Sequence, residues 1–399
     1  MSNEESITII HTADWHLRDS QYCSPSRGED FTKAALAVVD LAMAYGAKAI
    51  CNCGDILNNR RPSSRNIKDL SEIDRRLRAA GIPMYVISGN HDFARPSWID
   101  LLYEQTRVDP AVANDVGIIH ADDRLLNIPG TGLTVYGAPS MGVKAFRETC
   151  ADWPEADILM SHEPLKAFAA FPMDDDSLDV EDYPTEKYQA VLLGDLHARK
   201  YLNDSTGQKT IGYPGSIELC SNNEPPEKTI SLFRFGADGK LLLNADDPSF
   251  VPVPSRKALF YRIVSDDQAD QALADMHKYI DKDPIVLVRY LNTMHKIPSM
   301  FMTSLAGTNA ILRCASFSDV QAGRLLGRNR DENLEHVKQP KDFVSDFISP
   351  GSDLHKLATA LADPEVDHRQ LITDYVYERM ETDESNEFKD PGLRAAQIA

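Results

Sequence analysis

Five short segments of this 399-residue chain each follow an apolar run and carry side chains able to hold divalent metals. They are Asp14-Trp15-His16, Gly54-Asp55, Gly89-Asn90-His91-Asp92, Ser161-His162 and Gly194-Asp195-Leu196-His197. Asp, Asn and His supply the oxygen and nitrogen donors that hard and borderline divalent cations take. Two such cations roughly 3.5–4 Å apart activate a water and neutralise phosphate oxygens, so the set points to phosphoester hydrolysis. Asp14 and His16 lie two apart at a strand end; on an extended chain both project to one side and reach one metal. Asp55 offers two oxygens and can bridge two metals. Asn90 offers a neutral carbonyl oxygen to the second, and His162, Asp195 and His197 complete two shells. His91, beside Asn90, is positioned to protonate or stabilise the leaving oxygen. Asp92 can orient His91 or cap the turn, and the turn is the preferred reading.

Loops far apart in sequence must bring these residues to one point. Ile7–His11, Ala47–Cys53 and Pro83–Ser88 are apolar runs separated by the helical patterns Phe31–Tyr45 and Ile67–Ala80. This alternation predicts an α/β sheet with layered helices. Shorter β-like runs follow at Val116–His120, Leu133–Ala138, Ile158–Ser161, Ala190–Leu193, Thr210–Tyr213 and Thr229–Phe235. The order predicts a two-sheet sandwich with helices outside. The candidate ligands then lie beyond the C-terminal strand ends, where loops converge on ligands in α/β sheets. The Pro- and Asp-rich stretch Asn244–Lys257 reads as a boundary. After it, Leu259–Val264, Gln268–Ile280, Ile285–Leu291 and Ala310–Phe317 predict a small separate α/β domain. From Asp342 the apolar spacing is helical again (Phe343, Phe347, Leu354, Leu357, Leu361, Leu371), and the last stretch is polar. The expected organisation is therefore 1–245, 258–325, a helical tail at 340–381 and a frayed end at 382–399. The densest acidic run, Asp174 to Asp182, reads as a solvated loop.

Hydrophobic residues make up 42% of the chain and charged residues 26%, as expected of a globular protein with a sizeable core. No apolar run is long enough to span a bilayer, and the polar start argues against a signal peptide. The six cysteines show neither zinc spacing nor a disulfide framework, and Cys51 and Cys53 read as inert core residues. A reducing, cytoplasmic compartment without membrane attachment is expected. The net charge of −19 counts against holding nucleic acid with the whole surface. It leaves room for metals and one local basic patch.

The motif set resembles the calcineurin-like metallophosphoesterases. The opening His11-Thr12-Ala13-Asp14-Trp15-His16-Leu17 is similar to the SbcD family, nuclease subunits of a DNA double-strand-break repair complex. Gly54-Asp55-Ile56-Leu57-Asn58-Asn59-Arg60-Arg61-Pro62-Ser63 and Tyr213-Pro214-Gly215-Ser216 are similar too. The resemblance covers Ile7 to Phe235 by motif and rests on layout beyond, where the family has a capping domain and helices that bind an SbcC-type coiled-coil ATPase. It implies a metallophosphoesterase sandwich and two divalent ions, normally Mn2+, with Mg2+ as the alternative. Asp14, His16, Asp55 and His197 would hold the first ion; Asp55, Asn90, His162 and Asp195 the second; His91 would be catalytic. The implied activity is exonuclease action on DNA ends and endonuclease action on single strands or hairpins. A homodimer formed through helices near the start of the fold is also implied.

Two positions depart from the family. Asp195 stands where most relatives have His, adding a negative charge that favours hard ions such as Mn2+ or Mg2+. Asn58 stands where some relatives have a second catalytic His. Arg60, Arg61 and Arg65 after the Asp55 loop, with Arg18 and Arg199, are expected to form a positive rim for DNA. The same metals also serve a phosphatase or phosphodiesterase acting on small or protein phosphoesters, and the five motifs do not separate the two.

Overall fold

The computed structural model describes residues 6–92, 97–99, 116–168, 177–203, 210–222, 224–242 and 249–317. These belong to one compact unit, Met1–Asp319. The expected helical tail and frayed end, the last residues of the expected small domain, and Asp174 to Asp176 of the acidic run lie outside the described residues.

The elements run β1 (Ile7–Thr12), α1 (Ser26–Ala44), β2 (Ala49–Asn52), α2 (Ser64–Ala80), β3 (Met84–Val86), β4 (Ile118–His120), β5 (Arg124–Asn127), β6 (Thr134–Ala138), α3 (Val143–Thr149), β7 (Ile158–His162), β8 (Ala190–Gly194), β9 (Lys200–Asn203), β10 (Thr210–Tyr213), β11 (Thr229–Phe235), β12 (Ser249–Pro252), β13 (Ala258–Ile263), α4 (Asp266–Met276), β14 (Ile285–Leu291), α5 (Ile297–Ser304) and β15 (Ile311–Phe317). Two six-stranded sheets have the orders β12-β11-β1-β2-β3-β4 and β5-β6-β7-β8-β10-β9, and a third has the order β13-β14-β15. Strands β1 to β4 are mutually parallel, as are β6, β7 and β8.

The layering follows from the period-2 alternation of buried strands. In β1, Ile9 faces the core between the two large sheets, with Cys51, Cys53, Val135, Met160 and Leu192. Its neighbour Ile10 faces the opposite way, against Phe31, Val38, Leu70 and Leu77 of α1 and α2. Leu159, Val191 and Leu193 turn the outer side of the second sheet toward Phe146 and Trp153. Both faces of each central strand are covered, which explains their uninterrupted apolar character. The result is a mixed α/β sandwich flanked by helices, as expected.

Helix α2 has readable ends. Ser63 caps it by accepting from the Asn66 amide, Asn66 reciprocates, and Gly81 closes it at φ 66°. Helix α1 begins before its apolar pattern does. Its first turn holds Arg27, fully buried and paired to Asp30 at 2.8 Å and Glu218 at 3.2 Å. Strand β12 lies inside the stretch read as a boundary and pairs with β11 at a sheet edge, where Pro252 needs no amide. The third sheet packs Leu259, Ile263, Val286 and Val288 against Ala269, Met276 and Phe301 of α4 and α5. No described helix is long and apolar enough to cross a membrane.

Candidate metal centre

The C-terminal ends of β1, β2 and β3 in one sheet meet those of β7 and β8 in the other. Cross-sheet bonds fix this meeting: His11 Nε2 lies 3.1 Å from the Leu193 carbonyl, and the Cys53 thiol donates to the Leu192 carbonyl at 3.2 Å. The loops after the first two strands are laced together by main-chain bonds, from Asp14 to Gly54 (3.1 Å), His16 to Asp55 (2.8 Å) and Leu17 to Ile56 (3.0 Å).

This lacing overturns one step of the expectation. Asp14 and His16 are not on extended chain: their φ values are 54° and 46°, and Asp55 and Asp195 have φ of 53° and 98°. Four candidate ligands thus occupy the left-handed region, which costs on the order of 1–3 kcal/mol each for non-glycine residues. The side chains still converge, because the loop bonds dictate their direction.

Asp55 lies at the centre. Its Oδ2 is 3.5 Å from His16 Nε2 and 3.6 Å from His162 Nε2, while its Oδ1 accepts the His91 amide at 2.9 Å. On one side, His16 Nε2 is 3.0 Å from His197 Nε2. On the other, His162 Nε2 is 3.9 Å from Asp195 Oδ1, which accepts from the side-chain Nδ2 of Asn90 at 3.1 Å. Asp14 Oδ1 accepts the Asp195 main-chain N–H at 3.1 Å. Donor atoms of Asp14, Asp55 and His162 lie within 4.8 Å of one another. All seven expected ligands are therefore brought together, in two groups that share Asp55. A Cβ at Gly89 would strike Asp55 Oδ1, so only glycine lets the third loop approach.

The ring orientations fit cations. His162 Nδ1 faces the Cys53 carbonyl at 2.6 Å, and His197 Nδ1 faces a Glu224 oxygen at 2.6 Å. Both partners only accept, so in each neutral imidazole the proton sits on Nδ1 and the Nε2 lone pair faces the site. His16 and His197 then approach Nε2 to Nε2, a contact that needs a shared cation or proton. Asp14 Oδ2, His16 Nδ1 and His162 Nε2 are buried with no hydrogen-bond partner. Buried polar atoms are normally satisfied; a pair of divalent ions would satisfy Asp14 Oδ2 and His162 Nε2.

The electrostatics show the same shortage of positive charge. Burial pushes the Asp14 carboxyl up to about 6 and raises Asp195 as well. Burial opposes ionisation of Asp55 too, but His162, His16 and the His91 amide hold it down at about 2. Burial drives His16 well below its ordinary value. His162 is raised to about 10, Asp55 outweighing the cost of burial.

His91 is exposed at the mouth, its ring 4.9 Å from that of His16 and its Nδ1 3.3 Å from the Asn58 carbonyl. Asp92 is buried and accepts from the main-chain amides of Gly89 (2.7 Å) and Leu57 (3.2 Å), a turn-building role. The arginines differ in their freedom. Arg60 and Arg61 are exposed, and Arg60 reaches the Asn90 carbonyl at 3.5 Å. Arg65 is half-buried near Asp69 at 3.8 Å. Arg199 is exposed but lies over the Phe250 ring at 4.0 Å. Arg18 is turned inward, stacked on Phe31 at 4.4 Å and donating to the His16 carbonyl at 2.9 Å.

Sequence reasoning missed the groups behind His197. The other Glu224 oxygen accepts from Lys228 Nζ (2.7 Å), the Cys220 amide (2.9 Å) and Ser216 Oγ (3.1 Å). Burial opposes ionisation of Glu224, but the His197 hydrogen bond and the Lys228 ammonium hold it down at about 2. The signal available was the i, i+4 pair Glu224 and Lys228 close behind the Tyr213–Ser216 motif.

Residues 7–199 match the family described as Calcineurin-like phosphoesterase, and the chain accordingly contains a calcineurin-like metallophosphoesterase domain. Its sequence is similar to archaeal proteins named DNA double-strand break repair protein Mre11. The Methanosarcina mazei protein is 26% identical over 291 residues, 70% of this chain and 44% of that protein. The Methanosarcina acetivorans protein is 23% identical over 422 residues, 98% of this chain and 63% of that protein. The Halobacterium salinarum protein is 30% identical over 240 residues, 58% of this chain and 57% of that protein. The chain thus spans about half the length of these relatives.

Proposed function

We propose that this chain is a metal-dependent DNA nuclease that cleaves phosphodiesters at DNA ends and in single strands or hairpins. The observation that carries the reading is the pair of donor groups joined through buried Asp55, with Asn90 and His91 exposed at their edge. Bound divalent ions, Mn2+ in this reading, would supply an activated water and positive charge for the phosphoryl oxygens. Asp14, His16, Asp55 and His197 would hold one, and Asp55, Asn90, His162 and Asp195 the other. His91 then meets the leaving oxygen from the open side, with Nδ1 directed at the Asn58 carbonyl and Nε2 left to carry the proton.

DNA rather than a small phosphoester is favoured by the named relatives and by local basic surface on an acidic chain. Arg60, Arg61 and Arg199 are exposed on loops that adjoin the centre. On the face of the third sheet away from α4 and α5, Arg262 pairs in register with Arg289, and Phe260 shares a row with Arg313 through Leu287, which packs with Leu219. All three arginines are exposed there. A coiled-coil ATPase of the SbcC type is the proposed partner, docking on residues 340–381, and the chain is proposed to dimerise. Residues 1–245 and 258–325 are proposed to be separate domains, the first carrying the metal centre.

The test is a single assay with Mn2+ on linear duplex DNA and on a small phosphomonoester, beside a His91→Ala control. DNA cleavage lost in the variant supports the reading; monoester turnover alone, or silence on both, overturns it. Arg60→Glu with Arg61→Glu should weaken DNA binding about tenfold or more and spare a small chromogenic phosphodiester. Equal loss on both substrates removes these arginines from the DNA surface.

A further inference from the structure

Cys220 lies on the loop that braces His197. Its Sγ and a ring nitrogen from each of His16 and His197 lie within 4.8 Å of one another. The same Glu224 carboxylate sets two of the three donors, accepting from His197 Nδ1 at 2.6 Å through one oxygen and from the Cys220 amide at 2.9 Å through the other. The Cys220 carbonyl is fixed from the other side by the Gln21 amide at 2.7 Å. His16 Nε2 faces His197 Nε2 at 3.0 Å, so both rings present a nitrogen to one point beside the thiol. The thiol donates to the Glu218 carbonyl at 3.4 Å, a weak bond that a cation would replace.

We propose that His16, His197 and Cys220 form a second, softer site that takes Zn2+ in competition with the hard ion of the main centre. Two imidazoles and a thiolate are donors that zinc prefers and that Mn2+ does not. The geometry needs little change: Zn–N of about 2.0–2.1 Å and Zn–S of about 2.3 Å put donor atoms some 3–4 Å apart, and the two Nε2 atoms are already 3.0 Å apart. Binding breaks the S–H bond of Cys220, forms the Zn–S bond, and releases one proton to solvent for each ion taken up. Because His16 and His197 are shared, an ion bound there withdraws two of the four donors assigned to the first hard ion. Zinc is thereby an inhibitor built into the centre. This inference rests on the metal-centre reading above but not on DNA as the substrate.

The test uses the full chain and Co2+ as a spectroscopic probe for Zn2+, with no turnover involved. The wild type should show a sulfur-to-cobalt charge-transfer band that one equivalent of Zn2+ bleaches. Cys220→Ser and Cys220→Ala should lack the band, and in both the ratio of Zn2+ to Mn2+ affinity should fall at least tenfold, with melting temperatures recorded to show that each is folded. A wild type without the band, a band that survives both substitutions, or an unchanged affinity ratio overturns the proposal. Loss of DNA cleavage by Mn2+ in the wild type would strike the nuclease reading alone, since the band is read without substrate.

Discussion

Replacing Glu224 by alanine should lower the affinity of the first metal position and leave the second nearly intact. The carboxylate accepts from four groups: His197 Nδ1, Ser216 Oγ, the Cys220 amide and Lys228 Nζ. Losing it frees the His197 ring to rotate and to change tautomer. Removal of such an outer partner typically weakens metal binding 10–100-fold, or about 1.4–2.7 kcal/mol. It also leaves the Lys228 ammonium, 3% exposed, bonded to Ser216 Oγ but without its carboxylate, at a further cost to stability of about 3–5 kcal/mol. The two effects can be separated. Lys228→Met breaks the same buried pair but keeps the His197 contact, so it should cost stability and hold first-site affinity within about threefold. Calorimetric Mn2+ titration of the wild type, Glu224→Ala and Lys228→Met, each with a thermal melt, gives both quantities. Equal loss at both metal positions, or equal loss in the two variants, would refute an orienting role and leave only a structural one.

Three further outcomes follow from the same geometry. His11 is buried neutral between the Leu193 carbonyl and the Tyr201 hydroxyl, and burial takes its pKa down to about 3. The unfolded chain binds that proton below about pH 6.5, so stability is full above this value and falls as pH drops toward 3; the loss is about 2 kcal/mol by pH 5. Urea unfolding at pH 7.5 and 5.0 should show a smaller difference in His11→Gln than in the wild type, and equal differences would refute the assignment. Gly194→Ala should abolish binding at the centre, because a Cβ there strikes the Cys53 carbonyl oxygen and lies 2.6 Å from His162 Nδ1; a variant that binds Mn2+ normally would contradict the packing. Asp195→Asn should weaken the second ion about tenfold or more while Asp195→His retains it, read by Mn2+ titration; no effect of Asn would remove Asp195 from the ligand set.

The candidate site was legible because its donor residues combine two local signals, an apolar run and a side chain able to bind metal just beyond it. Asp14, Asp55, Asn90, His162 and His197 all carry both. The sandwich was legible for the same reason, since β1, β2, β7 and β8 are buried on both faces and read as unbroken apolar runs. What escaped depends on chain closure. Glu224 and Cys220 sit in a polar loop whose importance appears only when β8 brings His197 beside it. The left-handed backbone of Asp14 and His16 has no signature in residue type, since it is imposed by the Gly54 to Ile56 loop. Strand β12 is half exposed and flanked by prolines, so its composition reads as linker. The first turn of α1 has no apolar period; its buried face is the Arg27 side chain, held by Glu218 from far along the chain.

The central claim is that two divalent ions share Asp55. Electron paramagnetic resonance of the full chain with two equivalents of Mn2+ tests it most directly. The account predicts an exchange-coupled dimanganese signal that disappears in Asp55→Ala. Two independent six-line Mn2+ spectra, or saturation at a single ion per chain, would contradict it.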